Sequence, residues 1–119
     1  MTNQSVQLIE ENLHLVWNEK DAGKRAKAIE RIYVNGANLY HVGEEVTGLD
    51  AINDSITAIQ QNLPPDFVFT LLKPVVVNHD IGRAIWGAGT KDQPTLATGM
   101  DIVHIENGKI KTLYVFLES

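Results

Sequence analysis

The spacing of apolar residues changes midway along the chain. Val6, Ile9, Leu13 and Val16–Trp17 recur every three to four positions, which predicts an amphipathic helix. Asn18 to Gly23 is polar and turn-like. Ala26, Ile29 and Ile32–Tyr33 resume the helical spacing, so a second, shorter helix follows, with Asn35-Gly36 as its stop. Asn38 to Val42 has the look of a short strand. Thr47-Gly48-Leu49-Asp50 resembles a capping box with Asp in its last place, opening a third helix with Ile52, Ile56, Ile59 and Leu63 on its buried side. Pro64-Pro65 ends that helix. From Phe67 onward the pattern is strand-like. Phe67 to His79 is rich in β-branched and aromatic residues, with Pro74 predicting a bulge or an edge. Asp80-Ile81-Gly82 is a turn, Arg83 to Lys91 a strand, and Asp92-Gln93-Pro94 another turn. Leu96 to Glu106 and Lys109 to Glu118 are strands joined by Asn107-Gly108, the strongest hairpin signal in the chain. Helices first and then an antiparallel meander make the class α+β.

A two-residue Asn107-Gly108 turn sets a register. Glu106 pairs with Lys109, Ile105 with Ile110, Val103 with Thr112 and Asp101 with Tyr114, all on one face. Met100 against Val115 and Ile102 against Leu113 make the other face apolar too. One face is then covered by the helices, and a second copy of the chain is the simplest cover for the other. The preceding turn places Trp86 across from Gly99, a recurrent pairing of a large aromatic with glycine, and Ala84 across from Asp101. Asp101 is thus a carboxyl in mid-strand among Gly99, Val103 and Ile105, with nothing basic on its face. Such a group has a raised pKa and is poised for proton transfer. Alternatively it accepts a hydrogen bond from Tyr114, His41 or a helix N–H and serves the structure.

Length and composition narrow the chemistry. With 119 residues, 44% of them hydrophobic, residues 1–119 are expected to form one domain with a real core. Net charge −5 disfavours nucleic acid or an anionic membrane as partner. No cysteine is present, which excludes disulfides, thiolate nucleophiles and iron–sulfur clusters. The His residues show no metal-ligand spacing, so no metal and no cofactor is expected. Met1 to Glu11 holds no basic stretch followed by an apolar run, so no signal peptide is expected and the cytoplasm is the default location.

Several segments together resemble the nuclear transport factor 2-like superfamily, in its SnoaL-like branch. They are Trp17-Asn18-Glu19-Lys20-Asp21, Leu39-Tyr40-His41-Val42, Thr47-Gly48-Leu49-Asp50-Ala51-Ile52, Gly99-Met100-Asp101-Ile102-Val103 and Glu106-Asn107-Gly108-Lys109-Ile110. The resemblance implies a cone, in which a curved sheet wraps the first helix around an apolar pocket. It also implies homodimers through the outer face of the sheet. The superfamily includes ketosteroid isomerase, SnoaL-type polyketide cyclases, scytalone dehydratase, epoxide hydrolases and non-catalytic modules. Asp101 matches the protonated Asp of the isomerase's oxyanion hole, and His41 matches its general-base Asp. Its oxyanion Tyr is matched only by Leu13 or His14, so the full isomerase set is missing. The implied activity is a cofactor-independent isomerase, cyclase or dehydratase acting on a small apolar ketone or enol. His41 is then the base, Asp101 the acid and Tyr114 an assistant. Trp17, Tyr33, Leu39, Trp86 and Val103 are the expected ligand contacts. A non-catalytic binding or dimerisation module of the same fold is the alternative.

Overall fold

The computed structural model describes residues 2–118, and side chains from Gln4 onward; Met1, where the reading for a leader began, lies outside them. Helix α1 (Thr2–Glu11) continues without a break into a π-helical stretch, Asn12–Trp17. Its wider winding is visible in the bond from Asn18 N–H to Leu13 O, five residues back, at 3.0 Å. Asp21 then caps α2 (Ala22–Ile32), accepting from Gly23 N–H at 2.8 Å and Lys24 N–H at 3.0 Å.

Asn35-Gly36 does not end that helix. The chain is already extended at Tyr33, and β1 (Tyr33–His41) runs straight through the pair. Gly36, at φ +77°, sits where the β1 register shifts, so it makes a bulge instead. A second strand unforeseen from the pattern, β2 (Glu44–Thr47), folds back on β1. Its mostly exposed, charged edge has no strong alternation to reveal it. The capping box does not form. Gly48 is the N-cap of α3 (Leu49–Gln61), and the Thr47 hydroxyl bonds Asn38 across the hairpin at 2.8 Å.

The Phe67–His79 region splits at Pro74 into β3 (Val68–Leu71) and β4 (Val76–Asn78). Both pair with β5 (Ile81–Gly89), β4 with its first residues and β3 with its last. The turn before β5 lies one step earlier than expected, with His79 at φ +57°. Strands β6 (Ala97–Glu106) and β7 (Lys109–Glu118) complete a seven-stranded curved, open sheet. Its main path runs β2-β1-β7-β6-β5-β3. All pairs are antiparallel except β1 with β7, which is parallel. The three helices pack on the concave face around Ile9, Val16, Ile29, Ile32, Ile52, Ile56 and Leu113.

The β5–β6 register is the one expected: Trp86 faces Gly99 and Ala84 faces Asp101. A Cβ at Gly99 would lie 2.2 Å from Trp86 Cζ2, so only glycine admits the indole there. The β6–β7 register begins as expected, with Glu106 opposite Lys109 and Ile105 opposite Ile110. It then slips by one, since His104 faces Thr112 and Lys111 is left as a bulge. Beyond the slip Asp101 faces Val115, Val103 faces Leu113, Ile102 faces Tyr114 and Met100 faces Phe116. A shift of one residue exchanges the two faces of a strand. Tyr114 is therefore carried to the convex side.

Candidate functional site

The concave face does not close completely. A cavity of about 380 Å³ opens between the end of the first helix, α3 and the far ends of β5, β6 and β7. Leu13 and Trp17 from the π-helical stretch form one wall, Ile59 and Leu63 another. Phe69, Trp86 and Ala88 form a third, and Val115 with Asp101 the floor. Val42, Ala97 and Leu117 ring the mouth, Val42 being 72% exposed. Leu13 and Trp17, four residues apart, share one face of this stretch and so both reach the cavity. Three aromatic rings interlock edge to face: Phe69 lies 5.9 Å from Trp17 and 5.5 Å from Trp86, both near 84°.

Polar side chains hold this wall. The Asn18 amide mimics a neighbouring strand for Phe69, donating to Phe69 O at 2.8 Å and accepting Phe69 N–H at 2.7 Å. This pairs the edge strand β3 to the end of the first helix. Gln60 Nε2 donates to Trp17 O and Glu19 O, each at 3.0 Å, satisfying carbonyls left over at the helix end. The bonding roles of Asn18 and Gln60 were not legible in the sequence, because each acts on a segment distant in the chain.

Asp101 is 5% exposed. Its Oδ1 accepts Trp86 Nε1–H at 2.9 Å. Its Oδ2 has no partner among the described residues and lies open to the cavity. Burial in apolar surroundings pushes the carboxyl up to about 7, with the Trp86 N–H pulling it down. The donor to Asp101 is thus an indole and not Tyr114, His41 or a helix N–H. His41 also lines the cavity. Its Nε2 lies 3.3 Å from Ser55 Oγ and 3.6 Å from Glu44 Oε2. Serine, histidine and glutamate are the members of a hydrolytic triad, but both partners meet the same ring nitrogen. No relay through the imidazole is possible in that arrangement.

The structure brings His41, Asp101, Trp17 and Trp86 to the cavity and leaves the other expected residues elsewhere. Tyr114 is on the convex face, stacked on Tyr40 with ring centres 5.1 Å apart. Tyr33, Leu39 and Val103 are core residues behind the cavity wall. The Tyr33 hydroxyl donates to Asn12 Oδ1 at 2.5 Å, and its burial raises its pKa. Trp17 Nε1–H lies near that hydroxyl outside hydrogen-bond geometry. It is the buried side-chain polar atom without a partner among the described residues.

No protein-family model and no curated protein matches the chain. Solved structures do. A protein of the SnoaL-like family from Agrobacterium tumefaciens strain C58, proposed to be an isomerase, superposes with a TM-score of 0.89 at 22% identity, over 98% of this chain and 99% of the other. A proposed SnoaL-like polyketide cyclase from Jannaschia sp. CCS1 superposes at 0.82 with 13% identity, over 98% and 87%. A protein of unknown function with a cystatin-like fold from Methylobium petroleophilum PM1 superposes at 0.77 with 17% identity, over 100% and 78%. The chain therefore has the SnoaL-like, nuclear transport factor 2-like α+β cone fold.

Proposed function

We propose that the protein binds a small apolar ketone or enol in this cavity and shifts a proton on it without a cofactor, as an isomerase, cyclase or dehydratase. The observation that carries the reading is the open Oδ2 of Asp101, a buried carboxyl whose pKa of about 7 lets it give or take a proton near neutrality. His41, on the same cavity, is the base, and Asp101 the acid that stabilises the enolic oxygen. Tyr114 has no part in it, since its hydroxyl is on the other side of the sheet. Trp17, Trp86 and Phe69 supply the apolar walls. The isomerase and cyclase described among the similar folds support the reaction class.

The test is exchange of the α-protons of 2-tetralone for deuterium, followed by proton NMR. The protein is expected to accelerate it. Asp101→Leu is expected to lose about 10²-fold or more of that acceleration and His41→Ala a comparable factor. Rates unchanged by both substitutions would favour the second reading, a non-catalytic binding module. That reading has its own support, because His41 and Asp101 share no hydrogen bond and Nε2 of His41 is already engaged by Ser55. For the convex face, we infer pairing with a second copy of the chain. Tyr114 and Phe116 are 42% and 50% exposed there, beside Met100 and Ile102.

A further inference from the structure

The two oxygens of Asp101 are not equivalent. Oδ1 faces the Trp86 N–H at 2.9 Å, and Oδ2 faces the cavity. A protonated carboxyl has one carbonyl oxygen, the better acceptor, and one hydroxyl oxygen that donates. An indole N–H can only donate, so its lower-energy partner is the carbonyl oxygen. Trp86 cannot swing away to relax this choice. Its ring lies over Gly99, its register partner, and edge-on to Phe69. Asp101 follows Gly99 by two residues on the same face of β6, so the sheet register itself aims the N–H at Oδ1.

We propose that Trp86 is a positioning residue that keeps the acid proton of Asp101 on Oδ2, so that the cavity takes neutral molecules with a carbonyl oxygen at their buried end in preference to carboxylates or amines. The inference rests on the small-molecule reading given above and adds the polarity of the ligand. A carboxylate would be buried beside Asp101 without Lys or Arg on any wall. An ammonium would bring three donors to a cavity whose walls are mostly apolar, with Asn62 and His41 the polar lining residues besides Asp101. The titratable groups facing Asp101 are the Tyr33 hydroxyl from β1 and His41 across the cavity. Burial holds the carboxyl at about 7, so the donor form is present at pH 6 and mostly lost at pH 8.

Calorimetric titration with 2-tetralone, 2-naphthoate and 2-aminotetralin, one ring size in three charge states, tests this at pH 6 and pH 8. The ketone should bind best at pH 6 and about tenfold more weakly at pH 8. Asp101→Asn should bind it equally at both, because Trp86 holds the amide oxygen and turns Nδ2–H₂ to the cavity. Trp86→Phe keeps a ring over Gly99 and removes the donor. It should raise the midpoint of the pH dependence and reduce the ketone-over-carboxylate preference about fivefold or more. A purely structural Trp86 would weaken all ligands without moving the midpoint. The proposal is overturned by any of four results: no ketone binding at pH 6, ketone binding that ignores pH, tightest binding by the amine, or a Trp86→Phe protein with unchanged midpoint and preference. Absent proton exchange with this binding pattern intact sinks only the catalytic reading. An unchanged Trp86→Phe midpoint alongside Asp101-dependent exchange sinks only this one.

Discussion

Asp101 sets a cost on the fold that depends on pH. In the unfolded chain its carboxyl ionises near its ordinary value of 3.8, and in the folded protein at about 7. The folded state therefore holds the proton more tightly. Stability from this group is fully present below pH 4 and is lost as pH rises towards 7, at up to about 1.4 kcal/mol per unit. Asp101→Asn removes the titration and keeps the bond from Trp86. Urea unfolding at pH 5 and pH 8 should show the gap between variant and wild type widening in favour of the variant at pH 8. A gap that is the same at both values would show that the carboxyl does not titrate as its burial requires. Among the residues expected at the site, the aromatic pair Trp17 and Trp86 was legible because large apolar side chains fell on inward positions. Tyr114 was not, because one bulge at Lys111 moved it across the sheet.

Between elements, polar side chains decide where the cavity wall stands. Arg25 on α2 is 1% exposed, yet no carboxylate among the described residues forms an ion pair with it. Its guanidinium donates to Glu19 O at 2.9 Å, Asn53 Oδ1 at 2.8 Å, Thr57 Oγ1 at 2.7 Å and Gln60 Oε1 at 2.7 Å. Each of these is a neutral acceptor, and three are side chains of α3. The fork thus fastens α2 to α3 and to the loop after Trp17, the segment that carries the aromatic wall. Burial lowers the pKa of the guanidinium, which still stays charged. Arg25→Met is expected to destabilise the protein by about 3 kcal/mol, since it strands several part-buried acceptors. Arg25→Lys should recover little of this, because an ammonium cannot span the fork. Denaturant melts of both variants measure it, and a loss within about 0.5 kcal/mol for Arg25→Met would show the network to be incidental. Helical spacing in the sequence located α2 and α3 but said nothing of this clasp. Its side-chain partners on α3 are 28 to 35 residues away along the chain.

At the scale of the molecule, one curved sheet has two apolar faces and the helices cover only the concave one. The convex stripe of Tyr40, Tyr114, Phe116, Met100 and Ile102 is continuous across β1, β7 and β6. Phe116→Lys is expected to convert a homodimer into a monomer of about half the mass by light scattering, and to leave the cavity's ligand affinity unchanged. Wild type that already runs at the monomer mass of 13.2 kDa would dispose of the dimer. Among the described residues no helix is long and apolar enough to cross a membrane.

The sequence by itself determined the order and type of most elements, the apolar character of both sheet faces, the Trp86–Gly99 pairing and the burial of Asp101. Each of these follows from local periodicity, a tight turn or the chemistry of one side chain. Only the tertiary structure decided which oxygen of Asp101 is free, that Tyr114 lies on the convex face away from the cavity, and that β1 lies parallel to β7. These depend on a bulge, on an aromatic ring held over a glycine, and on polar clasps between distant segments. A one-residue slip or a contact across dozens of residues leaves no periodic trace in the chain, yet it sets the face and atom on which chemistry can occur.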